Sequence, residues 1–239
     1  DWANSVYSLV IASAIFPIFY GALFKIKGAT SLEIFGTELT STSLISFITA
    51  AAFLLVALIS PLLSGIADYI GNKRIFMKFF CYLGVLSCMG LYWFNLENIY
   101  IGLVFYFLGL IGYWGSLVFY NSYLPDIAFV EQQDKISAKG YAMGYIGSVI
   151  LLIINLAMIM KPKFFGITGT EGEAAMKAMR YSFVMVGVWW ILFSQYTYYY
   201  LPKGNNKVGE KLTKSVVFNG FKELKKVWIL LNENIPLKR

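Results

Sequence analysis

The sequence predicts an all-α membrane protein built from six transmembrane helices. Two observations carry that prediction. The 239 residues are 58% hydrophobic and only 14% charged, whereas a soluble domain averages about 45–50% apolar and about 25% charged. The apolar residues also stand in blocks of roughly twenty, the length needed to cross a hydrocarbon layer of about 30 Å as a helix. These blocks lack the polar face that water imposes on a soluble helix.

The elements follow in order. The first span runs from about Trp2 to Phe24, followed by a polar outer loop from Lys25 to about Ser41. The second covers about Thr42 to Ala67, and a tight turn, Asp68 to Arg74, leads to the third, about Ile75 to Phe94. Asn95 to Asn98 is long enough only for a turn. The fourth span is about Ile99 to Tyr120, then a polar loop, Asn121 to Lys139. The fifth is about Gly140 to Met160, and a polar, Gly-rich loop runs from Lys161 to Arg180. The sixth is about Tyr181 to Leu201. Residues 1–201 thus form a membrane bundle, and 202–239 a basic, mildly amphipathic segment. The first block is too long and too aromatic for a secretory signal. A chain opening on Asp1 without methionine reads as part of a longer protein.

The net charge of +7 reflects topology rather than nucleic-acid binding. Lys73, Arg74, Lys78, Lys135, Lys139 and the basic tail share one set of connections. Lys25, Lys27, Lys161, Lys163, Lys177 and Arg180 share the other. The richer set is expected in the cytoplasm, so both ends of the chain lie inside. Trp2, Tyr92, Trp93, Tyr120, Tyr123, Tyr181 and the tyrosines from Tyr196 to Tyr200 sit near span ends, where aromatic rings anchor at headgroups. Gly109, Gly112 and Gly115, and Gly140, Gly144 and Gly147, mark faces where helix backbones approach closely in lipid. Pro17 and Pro61 fall within spans and predict kinks.

Catalytic chemistry finds little footing. There is no histidine. Cys81 and Cys88 are two helical turns apart, about 10 Å, too far to bond. No metal, cofactor or disulfide framework is expected. Asp126, Glu131 and Asp134 have the spacing of a solvated surface. No Asp or Glu lies mid-span, so no proton relay is visible; Asp1 alone stands at a span's inner edge. A membrane enzyme and a six-span scaffold without a transport cycle are the competing classes.

The turn Ser64-Gly65-Ile66-Ala67-Asp68-Tyr69-Ile70-Gly71-Asn72-Lys73-Arg74 resembles the loop between spans two and three of the major facilitator superfamily. Asp68, Gly71, Lys73 and Arg74 fit that pattern. Ser64 stands at its usual first glycine, Gly65 is shifted by one, and Tyr69 and Asn72 replace basic residues. The stretches 1–7, 119–128 and 137–147 resemble its vacuole-effluxer branch, the autophagy-type amino-acid effluxers and their bacterial relatives.

The resemblance implies the N-terminal bundle of a two-bundle, alternating-access transporter. Its partners would be a C-terminal six-helix half, the lipid bilayer and a small solute, with amino acids the first class. A bacterial inner membrane is the implied location. The tail around Val216 to Leu231 would be the linker helix, or a segment held to anionic lipid. By the same resemblance, Asn4, Tyr7, Ser8 and Tyr20 on span one, with Tyr113 and Trp114 on span four, face the solute. Asn4 and Ser8 equally suit hydrogen bonds to a neighbouring helix. Gly65, Asp68, Gly71, Lys73, Arg74 and Asp126 would form the inner gate, Lys73 or Arg74 pairing with Asp126.

Overall fold

The computed structural model describes residues 1–34, 36–202, 225–226 and 228–230; of Asp68 and Ile70 it describes the backbone alone. The basic segment read as a linker, Pro202 to Arg239, therefore lies almost wholly outside the described residues.

The first span starts as a π-helix, Tyr7–Ile15, and continues as α1, Phe16–Lys27. Wide turns of this kind are uncommon and cluster at functional sites. Ser13 Oγ donates to the Ser8 carbonyl, five residues back, at 2.8 Å. Pro17 falls at the start of α1, inside a helix that is continuous from Tyr7, so it removes one N–H donor where the winding changes. The change from π to α winding takes place there.

Gly28 closes α1 in the left-handed conformation, φ 63°. The polar segment that follows is not the plain loop its composition predicts. β1, Ser31–Ile34, pairs antiparallel with β2, Thr37–Thr40, in the register Ser31↔Thr40 to Ile34↔Thr37. Two residues connect the strands, and Gly36 supplies φ 75°, the geometry that tight hairpins favour. Thr40 then caps α2, Ser41–Ile70, by accepting from the Ser43 N–H at 3.2 Å.

α2 carries Pro61 in its interior. It runs three residues beyond the predicted span end, so the signature turn shrinks to Gly71 and Asn72. Asp68 belongs to the last turn of α2, not to a loop. α3, Lys73–Gly90, ends in a 3₁₀ turn, Leu91–Trp93. α4 spans Ile99–Asn121, and a single helical turn, α5, covers Leu124–Ile127.

α6, Val130–Met160, and α7, Glu171–Tyr200, both begin about ten residues before the spans predicted for them. Polarity marks where the hydrocarbon ends, not where the helix does. At α7 the start is a capping box: the Thr170 side chain accepts from the Glu173 backbone, and the Glu173 carboxylate accepts from the Thr170 N–H at 3.1 Å. Those bonds to Thr170 hold the Glu173 carboxyl below its ordinary range, because they favour its charged form.

Among the described residues five helices are long and apolar enough to cross a membrane: Tyr7–Lys27, Ser41–Ala67, Lys73–Trp93, Ile99–Ile127 and Val130–Met160. α7 is not among them. Gln195 and the tyrosines at its end dilute its apolar character, although Phe183 and Trp190 are buried in the bundle.

α3 and α4 form the tightest pair. A Cβ on Gly112 would lie 2.5 Å from the Gly84 Cα and 2.8 Å from the Phe80 carbonyl oxygen. Gly109 lies under the Tyr7 ring and Gly115 under Phe80. On α6, Gly140, Gly144 and Gly147 lie against Asp1, Ser5 and Trp2 respectively. The glycine rows thus seat the first span between α4 and α6. Aromatic rings fill the rest of the core: Phe16 stacks on Tyr106 at 4.2 Å, and Phe183 meets Phe19 edge-on at 5.1 Å.

Candidate functional site

Two clefts and an aromatic layer divide the residues that the sequence singles out. The larger cleft, about 590 Å³, lies between the first span, α2 and α4. Its wall carries the hydroxyls of Tyr20, Ser46, Thr49 and Tyr106 and the rings of Phe16 and Phe53. Among the described residues no Asp, Glu, Lys or Arg lines it. Tyr20 donates to the Ser41 carbonyl at 3.0 Å, tying span one to the start of α2. Thr49 donates to the Ile45 carbonyl at 2.8 Å, and its hydroxyl lies 3.4 Å from that of Tyr106.

The middle layer is aromatic. Tyr7 stacks on Tyr113 at 5.0 Å and tilts against Trp190 at 5.9 Å. It is fully buried, and its hydroxyl has no hydrogen-bond partner among the described residues. Trp114 packs edge-on against Tyr113 and against Phe53 of the larger cleft. Ser8 Oγ donates to the Ser5 carbonyl at 2.9 Å.

The smaller cleft lies towards the opposite end, among the first residues, α3, α4 and α7. Asn4 is buried there beside Asp1, Ser116, Tyr120 and Ser194. The six residues read as solute-facing are therefore not gathered round one cavity. Only Tyr20 reaches the larger cleft, Asn4 reaches the smaller one, and Tyr7 and Tyr113 form the wall between.

At that same end the first basic residues of α3 each grip another element. Lys73 Nζ lies 3.2 Å from Asp126 Oδ2 and donates to the Ser122 carbonyl at 3.2 Å. Arg74 donates to the Tyr198 carbonyl on α7, not to Asp126. Lys78 stands 5.0 Å over the Tyr198 ring. Gly65 lies inside α2, and the Asp68 side chain lies outside the described structure.

The profile of the family described as "Vacuole effluxer Atg22 like" matches residues 1–130 and 128–235. The chain belongs to this family. It is also 33% identical over 224 residues to an uncharacterised MFS-type transporter, YxiO, of Bacillus subtilis (strain 168), which covers 94% of this chain. The chain spans about half, 49%, of the length of that relative. No solved structure matches it. With its long apolar helices, this Atg22-like chain is an integral membrane protein of the major facilitator type.

Several residues lining these clefts in the Atg22-like chain escape the sequence reading. Thr49 and Tyr106 look like ordinary span residues, and only the packing of α2 on α4 brings them together. Ser116, Ser194 and Trp190 likewise gain meaning only from helix contacts. The aromatic belt also splits. Trp93, Tyr196, Tyr199 and Tyr200 are exposed, as anchors are, whereas Tyr123 and Tyr198 are buried in the bundle.

Gly71 gives a direct test of the signature turn. It holds φ 71° and donates its N–H to the Ala67 carbonyl at 2.9 Å. A side chain there is strained in the left-handed region. Gly71→Ala is expected to destabilise the Atg22-like protein by about 1 kcal/mol, read as a lower thermal midpoint in detergent. Gly21→Ala, inside α1 where an added Cβ meets nothing within 4 Å, is expected not to lower the midpoint.

Proposed function

We propose that this chain is one six-span half of a secondary transporter that moves a small organic solute by alternating access. The observation that carries the reading is the larger cleft, about 590 Å³. Sites for small organic ligands measure about 300–1,000 Å³ and combine apolar walls with a few placed polar groups. Tyr20, Thr49 and Tyr106 supply those groups, and Phe16 and Phe53 the walls. Family membership supports transport, and the neutral wall favours amino acids with uncharged side chains as the first solutes to assay.

In this reading α7 is the sixth crossing, and a second bundle of six helices completes the path. Both ends of the chain face the cytoplasm of a bacterial inner membrane. Tyr7, Ser8, Tyr113 and Trp114 act below the cleft, and Asn4 lies nearest the inner mouth. Gly65, Asp68 and Gly71 form the end of α2 that closes against the other half. Lys73, Arg74 and Asp126 brace it from within the bundle. The Lys73–Asp126 pair is partly exposed, so its net worth to stability is at most about 1 kcal/mol. Its value lies in placing the helix end.

The test is uptake of radiolabelled amino acids by the complete protein in proteoliposomes. Ser46 is exposed in the cleft, so Ser46→Trp can fill the space without disturbing the core. It is expected to cut the initial rate at least about tenfold, the equivalent of roughly 1.4 kcal/mol of lost binding. Asp68→Asn is expected to reduce turnover while leaving solute binding intact. Undiminished uptake in both variants overturns the reading.

A further inference from the structure

The smaller cleft holds about 30 Å³. A single water needs a cavity of about 10–15 Å³ by such a measure, so the space suits one desolvated ion or water and excludes an organic solute. Its lining includes Asp1, Asn4, Ser116, Tyr120, Ser194 and Thr197. Among the described residues no lysine or arginine side chain lines it.

The hydrogen bonds around it fix which way the oxygens are turned. Ser116 donates its hydroxyl proton to the Tyr113 carbonyl at 2.8 Å, and Ser194 donates its own to the Ile191 carbonyl at 2.9 Å. The Asp1 main-chain nitrogen donates to the Tyr120 hydroxyl at 3.1 Å, and that hydroxyl donates to Asp1 Oδ2 at 3.2 Å. Three hydroxyl protons are thus committed elsewhere. Lone pairs remain on those oxygens, beside a carboxylate and the Asn4 amide oxygen, although Ser194 Oγ also accepts from Gln195 Nε2 and Asn4 Oδ1 from Ser5 Oγ, both at a long 3.5 Å.

Asp1 stands half-buried at the edge of the first span, and its carboxylate gives the cleft its one acidic group among the described residues; a carboxylate held partly out of water favours a cation beside it. Hard cations are held by oxygen ligands. We propose that this cleft is a Na⁺ site, with the Asp1 carboxylate supplying the charge and Asn4, Ser116, Ser194 and Thr197 supplying neutral oxygens. Tyr120 orients the carboxylate. Because the ligands come from the first span, α4 and α7, the bound ion ties three elements together at the end where Lys73 and Asp126 lie. Ion binding stands apart from the transporter reading; its use as the coupling ion rests on that reading.

The experiment is equilibrium binding of ²²Na⁺ to the purified complete protein, at constant ionic strength in choline chloride. Saturable binding displaced by unlabelled NaCl is expected. Asp1→Asn is expected to weaken it at least tenfold. Ser116→Ala removes one ligand oxygen from the middle of a long helix, keeps the fold, and is expected to weaken it severalfold. Na⁺ is also expected to raise the thermal midpoint of the parent and not of Asp1→Asn, since a ligand that binds only the folded state stabilises it. Absence of saturable binding, or parental binding in folded Asp1→Asn and Ser116→Ala, overturns the site even if solute uptake is intact. Saturable binding with no solute uptake supports the site and counts against the transporter reading alone.

Discussion

Gly112→Ala is expected to cost this protein its fold. The methyl group would meet backbone, not a side chain that can swing away. Its nearest neighbours are the main chain of Gly84 and the Phe80 carbonyl, the latter at 2.8 Å. Extra volume in a packed core usually costs about 1–3 kcal/mol. Here relief requires α3 and α4 to move apart, and in lipid the close packing of helices is itself the main attraction between them. The expected penalty is about 3 kcal/mol or more. Size-exclusion chromatography in mild detergent checks it: the variant should aggregate or be lost, and Gly21→Ala should elute like the parent. A monodisperse Gly112→Ala with the parent's thermal midpoint contradicts the α3–α4 contact described here.

Tyr7 should separate stability from transport. Its ring is held between Tyr113 and Trp190, and its hydroxyl is buried without a partner among the described residues. Truncating a fully buried aromatic residue to alanine costs about 3–5 kcal/mol, so Tyr7→Ala should unfold well below the parent's midpoint. Tyr7→Phe keeps the ring and removes only the unpaired hydroxyl. An unsatisfied buried polar group costs about 1–3 kcal/mol, so this variant should be more stable than the parent, by about 1 kcal/mol or more. Such a group persists where function needs it. If the hydroxyl meets solute in another state of the cycle, Tyr7→Phe should also transport several-fold more slowly. Thermal melts and initial uptake rates on the same preparation measure both. A destabilised Tyr7→Phe would mean that the hydroxyl has a partner in the folded protein.

The bundle was largely legible because its solvent writes on the sequence in one dimension. Apolar blocks of about twenty residues identify spans wherever lipid is the surrounding medium, and five of them coincide with membrane-length helices. The helix ends were less legible. Glu131 to Lys139 and Glu171 to Arg180 are polar because they stand in water, yet the backbone remains helical through them. The hairpin at Ser31–Thr40 was also hidden, since a ten-residue polar stretch reads the same whether or not its strands pair. Residues 64–74 displayed a recognisable pattern but not its winding, and Asp68 proved helical.

Composition and block length by themselves determined that this chain lives in a membrane, that it is helical, and where most crossings lie. Those properties depend on each segment's own transfer into lipid, a sum over local residues. The tertiary structure alone decided which oxygens meet. Thr49 faces Tyr106 across 57 positions, and Asp1 meets Tyr120 across 119. Such pairings depend on how glycine rows let helices cross, through contacts that no local sum contains. The residues read as one solute site were thereby parted into an open neutral cleft, an aromatic layer and a small oxygen-lined space.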